Sequence, residues 1–471
     1  MKKLTVWALL ATFVVAGSAF AIGSQGVAAN ATFLTGSPAT TNNDDSCDIG
    51  VAPAATLLLP YFEVDLASRT GERTIFTITN VSNVEQVAHI TLWTDYSFPV
   101  IDFNVYLTGY DVQSIDLYDV IALGDIAPTR GTGYEDPGSP EGDFSDDNPL
   151  VNEETCRNLP TDLNEQYVTR MQQAFTVGTV PALGGAAACT GIGSSGHPNN
   201  AAIGYATIDV ASRCGTQLPS DPGYFTAGGE ALFDNVLIGD YQQINSGQNF
   251  AQGNPLVHIR AIPEGGVPGS GLTTNFDRTF YARYQTTPNA DRRQPLPSQF
   301  AARWIDGGTG SFETHYKIWR EGRVAPGAAA CTGAGDVSPA NITSVTEFVT
   351  FDEEENAIGA APEEGPVSPP IELDFVLPET GRYQVGEDEF PELDNGAIAG
   401  WMYMNLDNVA NDAIASQNWV IVSMRAEGRY SVDFDAAWLG NGCSPEAELS
   451  EVDTNGVAII GPAPNVTPNL P

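Results

Sequence analysis

The 471-residue chain carries 59 acidic residues against 20 basic ones, a formal net charge of −39, with 48 Gly, 32 Pro and six Cys. A surface this acidic repels nucleic acid and anionic lipid, and favours basic or cation-bridged partners. After the N-terminal apolar run, no stretch approaches the roughly 18–20 apolar residues that a spanning helix needs, so no membrane insertion is expected.

The chain opens MKKLTVWALLATFVVAGSAFA, with Lys2 and Lys3 ahead of an apolar run and Ala19-Phe20-Ala21 at its end. This is the pattern of a secretory signal peptide over 1–21, so an exported protein, periplasmic or at the cell surface, is expected. Its removal leaves one lysine, Lys317, among 18 basic residues. Residues 22–46 are small, polar and unpatterned and read as a flexible leader. An even count of cysteines in an exported chain predicts disulfides among Cys47, Cys156, Cys189, Cys214, Cys331 and Cys443, in any of about 15 pairings. The absence of CxxC excludes a thioredoxin-type site and a paired-cysteine zinc knuckle.

From 47 to 125 the chain is strand-rich. In "VAHITLWT", Ala88, Ile90 and Leu92 alternate with His89, Thr91 and Trp93, and "FNVYLT" repeats the pattern. Period-2 patterning between turn residues predicts half-buried antiparallel strands. Residues 126–160 form an acidic loop, with eight acidic residues and no basic one over 131–156. "LNEQYVTRMQQAF" (163–175) is the best amphipathic helix candidate. Strands then resume with "IGYATIDV", "NVLIGDY", "LVHIRAI", "RTFYARY", "FETHYKIWR", "TEFVTF", "IELDFVL", "GWMYMNL", "NWVIVSM" and "YSVDFD". The expected fold is all-β, with tandem antiparallel β-sandwich modules and long acidic loops: an N-terminal sandwich over 47–125, a second β-rich domain over 161–325, a third over 326–447, and a polar Pro-rich tail over 448–471.

The string GAAACTG occurs twice, at 185–191 and 327–333. A small-residue turn presenting a disulfide cysteine accounts for it, and a duplicated module is the second reading, with "AAIGYATIDV" and "GAIAGWMYMNL" as corresponding downstream patterns. The block "TIFTITNVSNVEQVAHITLWTD" with "TGYDVQSIDL" resembles the immunoglobulin-like or chaperone-like β-sandwich modules of secreted bacterial surface proteins. The strings "LLLPYFEVD" and "NWVIVSMRAEGRYSVDFDAAWLGNGC" are similar to those of a group of bacterial exported proteins. The resemblance implies a sandwich fold and brings no activity with it.

No catalytic constellation stands out. The GxGxxG at 191–196 lacks the flanking strand and helix of a dinucleotide site, the four histidines are scattered, and no GxSxG elbow occurs. No catalytic or cofactor residue is therefore assigned. A zinc site could only be assembled from histidines on distant strands, sheet histidines being the favoured reading. The acidic turns point instead to calcium, with Asp352, Glu353, Glu354, Asp394 and Asn395 as hard-oxygen ligands, against a default of a solvated acidic face. The clearest departure from background is a cationic stretch, 256–325, holding nine basic residues with interleaved aromatics. Arg283, Arg292, Arg293, Arg303, Trp304 and Trp319 are its candidates for docking a protein or polysaccharide partner at the cell surface. Internal ion pairs are the favoured alternative, because guanidinium groups in an acidic protein readily find carboxylates. In "FETHYKIWR" one strand face would carry Glu313, His315, Lys317 and Trp319, and the other Phe312, Thr314, Tyr316, Ile318 and Arg320. The function expected is a structural, adhesive or partner-binding one without enzymatic activity. A secreted carboxylate-based hydrolase or carbohydrate-active protein is the alternative, and a calcium-stabilised matrix protein a further one.

Overall fold

A computed structural model describes residues 49–126, 163–180, 188–189, 191, 201–213, 215, 217–225, 229–261, 279–284, 291–308, 311–321, 329–330, 347–358, 379–386, 397–406, 417–426 and 430–439. The signal-peptide, leader, acidic-loop and tail segments lie outside these residues, as do Cys47, Cys156, Cys214, Cys331, Cys443, Asp394, Asn395 and the "IELDFVL" strand.

The strands of the first half are β1 (Thr56–Asp65), β2 (Glu72–Asn80), β3 (Gln86–Thr94), β4 (Pro99–Leu107), β5 (Val112–Asp116), β6 (Thr179–Val180), β7 (Ala188–Cys189), β8 (Ala201–Ala211), β9 (Leu237–Asn245), β10 (Phe250–Pro255) and β11 (Val257–Ile259). Those of the second half are β12 (Gln299–Ile305), β13 (Phe312–Arg320), β14 (Ala329–Ala330), β15 (Glu347–Asp352), β16 (Ala357–Ile358), β17 (Thr380–Gln384), β18 (Ala399–Asn405), β19 (Asn418–Ala426), β20 (Tyr430–Asp435) and β21 (Ala437–Leu439). One α-helix is described, α1 (Glu165–Thr176), capped by Asn164, whose side chain accepts from the Tyr167 amide.

The fold is all-β and built of two antiparallel sandwiches. The first stacks the sheet β11-β1-β8-β3-β4 on the sheet β10-β9-β2-β5. Leu57, Leu59, Ile90, Leu92 and Ile208 from one sheet meet Phe76, Ile78, Ile115 and Tyr241 from the other in its core. The second stacks β16-β15-β18-β12-β21 on β17-β13-β19-β20, around Phe300, Trp304, Tyr316, Ile318, Met402, Met404 and Val422. Replacing β1, β2, β3, β4, β5, β8, β9, β10 and β11 by β12, β13, β15, β16, β17, β18, β19, β20 and β21 in turn converts one strand order into the other. The chain is a tandem of one topology.

Side-chain detail repeats with it. Gly204 of β8 faces Thr94 and Phe62, and Gly400 of β18 faces Asp352 and Trp304. Beside each glycine an aromatic pair stacks across strands: Trp93 on Tyr205 at 6.0 Å and 9°, and Phe351 on Trp401 at 4.1 Å and 11°. Thr74 Oγ1 bonds both the amide and the carbonyl of Glu63, and Thr314 Oγ1 does the same to Ile305.

This pairing redraws the expected domains. The strands over 201–259 belong to the first sandwich and β12 and β13 to the second, so the break falls between 261 and 299 rather than at 126–160 and 325. Strand pairing, not sequence proximity, decides membership: β8 returns across the 126–160 excursion to sit between β1 and β3. The expected strand at "RTFYARY" is also corrected. Its described part ends in a short 3-10 turn, Ala282–Tyr284, and Phe280, Tyr281 and Tyr284 lie with Leu296 on the outer face of the β1/β3/β8 sheet. That cover explains why β1, β3 and β8 are buried along nearly their whole length, as for a sheet covered on both faces.

The two GAAACTG strings are partners, not equivalents. Their strands β7 and β14 pair antiparallel, Ala329 opposite Cys189 and Ala330 opposite Ala188, in a small sheet with β6. In the tandem frame one string lies before β8 and the other before β15, so the repeated string does not mark the duplication. β8 and β18, the strands of "AAIGYATIDV" and "GAIAGWMYMNL", do occupy matching positions.

Candidate functional site

The polar chemistry concentrates where the two sandwiches meet. Along β1, Leu57 and Leu59 point into the first core, but the register shifts between Leu59 and Phe62. Beyond it Phe62 and Val64 take the inward positions, and Tyr61 and Glu63 are turned to the opposite face, toward the second sandwich. A bulge at Pro60 thus re-aims two side chains, a common use of such irregularities. From β2 and β9 come the facing pairs Thr74/Gln243 and Glu72/Asn245, one and two steps past the Phe76/Tyr241 pair that ends the apolar core. β13 contributes His315, Lys317 and Trp319 on the face opposite Tyr316 and Ile318.

These groups enclose a cavity of about 20 Å³, room for about one water, lined by Glu63, Glu72, Gln243, His315, Lys317 and Arg382 among others. Lys317 Nζ donates to Gln243 Oε1 and lies 5.6 Å from the Tyr61 ring centre and 6.0 Å from that of Phe250. The Gln243 amide nitrogen donates to the Tyr61 carbonyl at 3.3 Å. Glu63 accepts from the Tyr61 hydroxyl at 2.7 Å and pairs with Arg382 at 3.2 Å, and Glu72 accepts from Asn245 at 3.1 Å. Burial, with the Arg382 charge, pushes the Lys317 amine down to about 8, against the opposing pull of Glu63 and Glu72. Burial and then the Glu63 charge raise the Glu72 carboxyl. Burial and the cations Arg382, Arg425 and Lys317 push His315 down to about 3, so its imidazole is neutral.

Two further buried ion clusters flank this layer. Arg283 pairs with Glu379 and donates to Tyr205 Oη at 3.2 Å and Ser97 Oγ at 3.3 Å, tying the 280–284 turn to both sandwiches. Arg293 pairs with Asp291 at 2.9 Å and with Asp209 at 3.4 Å, and donates to Thr56 Oγ1 and the Leu232 carbonyl. Tyr224 and Tyr281 both donate to Asp209 Oδ2, at 2.7 and 2.8 Å. With this many donors on each carboxylate, removing one partner would leave an uncompensated buried charge.

The predicted docking face is therefore largely interior. Arg283 and Arg293 are buried in ion pairs, Trp304 fills the second core and Trp319 the aromatic cluster over β1, β3 and β8. Arg292 is half-buried, 5.1 Å over the Phe233 ring, and Arg303 is exposed and pairs with Glu353. The face of β13 that carries Lys317 docks, but on the first sandwich of its own chain. The calcium candidates within the described residues are not gathered around one point. Asp352 accepts from the amides of Glu354 and Asn356 and from the Asn356 side chain, which with the backbone bonds lowers its carboxyl. Among the described residues no cluster of three or more His, Cys, Asp or Glu has metal-holding geometry, and no helix is long and apolar enough to cross a membrane.

Sequence reasoning isolated the cationic segment but missed Tyr61, Glu63, Glu72 and Gln243, its partners across the interface. Lys317 carried the available signal, being the one lysine beyond the N-terminal pair. Fold and site define a class, an all-β protein of two like sandwiches fused through a polar, ion-paired layer. No protein-family model matches the chain, and no curated protein matches it.

Proposed function

We propose that this is an exported, non-enzymatic structural or partner-binding protein of the periplasm or cell surface, a rigid tandem of immunoglobulin-like modules. The observation that carries the reading is the interface. Arg382 of the second sandwich meets Glu63 of the first, Arg283 of the connecting segment pairs with Glu379, and among the described residues the cavity beside Lys317 holds about one water, far below the ~300–1,000 Å³ of a ligand pocket. Such a junction fixes the relative orientation of two modules, which suits a spacer or presenting element. Partners, protein or polysaccharide, would then meet outward surfaces and loops. The signal-like N-terminus supports export, and the acidic composition supports an extracytoplasmic rather than a nucleic-acid role.

The test is fractionation of cells expressing the full chain, with N-terminal sequencing of the product, followed by binding of the purified protein to intact cells and isolated envelope polysaccharide. Cleavage after Ala21, recovery outside the cytoplasm and saturable binding support the reading. Retention in the cytoplasm with an uncleaved N-terminus, or turnover of polysaccharide by the protein, overturns it.

A further inference from the structure

We propose that Lys317 and Gln243 become joined by an intramolecular amide bond between the lysine amine and the glutamine side-chain carbonyl, covalently stapling the second sandwich to the first.

The choice of residue is the first argument. The chain has 17 arginines and uses them in its other buried ion pairs, Arg283–Glu379 and Arg293–Asp291. A site needing only a buried cation would be served by Arg, whose guanidinium does not lose its proton. Lysine differs in being able to become a neutral nucleophile. The one lysine outside the N-terminal segment is placed, buried, against the amide of Gln243.

Geometry is the second. The Gln243 carbonyl oxygen takes the Lys317 hydrogen bond while its amide nitrogen is held by the Tyr61 carbonyl, so the amine is held against the oxygen of the carbonyl it is to attack, one bond from the carbonyl carbon. Fixing two reactants in this way supplies much of what a bimolecular step lacks. Burial lowers the amine to about 8 and raises the Glu72 carboxyl. Tyr61 and Phe250 give the amine apolar walls.

The step balances without a co-reactant. The lone pair of neutral Nζ attacks Cδ of Gln243 and the new C–N bond forms. The bond from Cδ to the original amide nitrogen breaks. Glu72, on the same cavity, takes the surplus proton from Nζ and delivers it to the departing nitrogen, which leaves as ammonia, and the carboxyl returns to its starting state. Nothing is oxidised or reduced. The cavity is large enough for a leaving group the size of water.

Intact mass spectrometry of the purified full chain reads the outcome, with peptide mapping of the product. The expected result is a mass lower than the sequence requires by one ammonia, and a branched peptide containing both Lys317 and Gln243. In Lys317→Arg that loss should vanish, which separates it from ammonia released by other Asn or Gln side chains. Glu72→Gln keeps both reacting groups and should leave most of the protein at full mass. A wild-type protein at full mass after prolonged incubation overturns the proposal whether or not the variants fold, and so does a loss of ammonia that persists in Lys317→Arg. Unchanged cross-linking in Glu72→Gln overturns the role given to that carboxyl.

Discussion

Asp234 and His258 bury opposite preferences for the proton, and their effects on stability run in opposite directions with pH. Burial pushes the Asp234 carboxyl from 3.8 up to about 6. Between those values the folded chain holds a proton that the unfolded chain has released, so this residue's contribution is greatest below 3.8 and is lost as pH rises through about 6. At roughly 1.4 kcal/mol per pKa unit, the ionised group costs about 3 kcal/mol at neutral pH. Asp234→Asn should therefore raise the unfolding free energy measured in urea near neutrality by about 1–3 kcal/mol, and change it much less near pH 4; an equal shift at both would sink this account. His258 behaves inversely. Burial lowers it from 6.5 to about 4, and its Nε2 accepts the Gly239 amide hydrogen at 3.1 Å, a bond that needs the neutral ring. Its contribution is complete above 6.5 and disappears as pH falls through about 4. His315, lowered to about 3 by burial and three neighbouring cations, acts in the same sense. Imidazole resonances recorded across the acid range should keep both rings neutral at about pH 5.5, and titration of either near its ordinary value would contradict the burial described.

At the scale of the strand, the glycines of β8 and β18 mark where two backbones and an aromatic ring converge. A Cβ on Gly204 would lie 2.1 Å from the Trp93 carbonyl oxygen and 2.7 Å from the Phe62 ring, and one on Gly400 would lie 1.9 Å from the Phe351 carbonyl oxygen and 2.9 Å from the Trp304 ring. Backbone on one side and a core ring on the other leave no flexible end to yield. Gly204→Ala and Gly400→Ala should each cost about 3 kcal/mol or more in chemical denaturation, at the upper end for overpacked cores, whereas Gly50→Ala, with open space around it, should be nearly neutral. The same strands show what the sequence makes legible. The alternation of Met402 and Met404 with Trp401 and Tyr403 marks β18 as a strand and assigns its core face correctly. β1 shows no alternation because Phe280, Tyr281, Tyr284 and Leu296 cover its second face, so "TLLLPYF" gives no period, and the Pro60 bulge that turns Tyr61 and Glu63 outward leaves no pattern either. The duplication was visible only in the likeness of "IGYATID" to "AGWMYMN", the two strands that carry the equivalent glycines. At the interface, charge and aromatic content located the cationic segment, but neither says whether a face meets solvent or another part of the same chain. That depends on partners far away in sequence: Gln243 for Lys317, Glu379 for Arg283.

For the whole molecule, the question is whether two like sandwiches behave as two folding units or as one. Trp419 of β19 packs against the first core, the second core and the aromatic cluster between them, and Ile421 from the same strand is counted among the buried residues of the first core. The Glu379 amide donates to the Asp95 carbonyl at 2.7 Å, Thr380 Oγ1 to the Pro60 carbonyl at 2.7 Å, and Gln252 to the Val422 carbonyl at 2.8 Å, three bonds from one sandwich to the other. Unfolding the second sandwich alone would strip Trp319 from the outer face of the β1/β3/β8 sheet and leave Glu63 without Arg382. An exposed apolar sheet face and an unpaired buried carboxylate both weigh against such an intermediate. Differential scanning calorimetry should accordingly show one transition whose calorimetric and van't Hoff enthalpies agree, despite a chain length at which domains commonly melt separately. Lys317→Arg isolates the non-covalent share of the coupling: it removes the proposed staple but leaves Trp419, Thr380 and Gln252 in place, so the single transition should persist at a lower midpoint. Two resolved transitions in the variant would assign the coupling to the staple, and two in the wild-type protein would show that the interface is too weak to join the sandwiches into one unit.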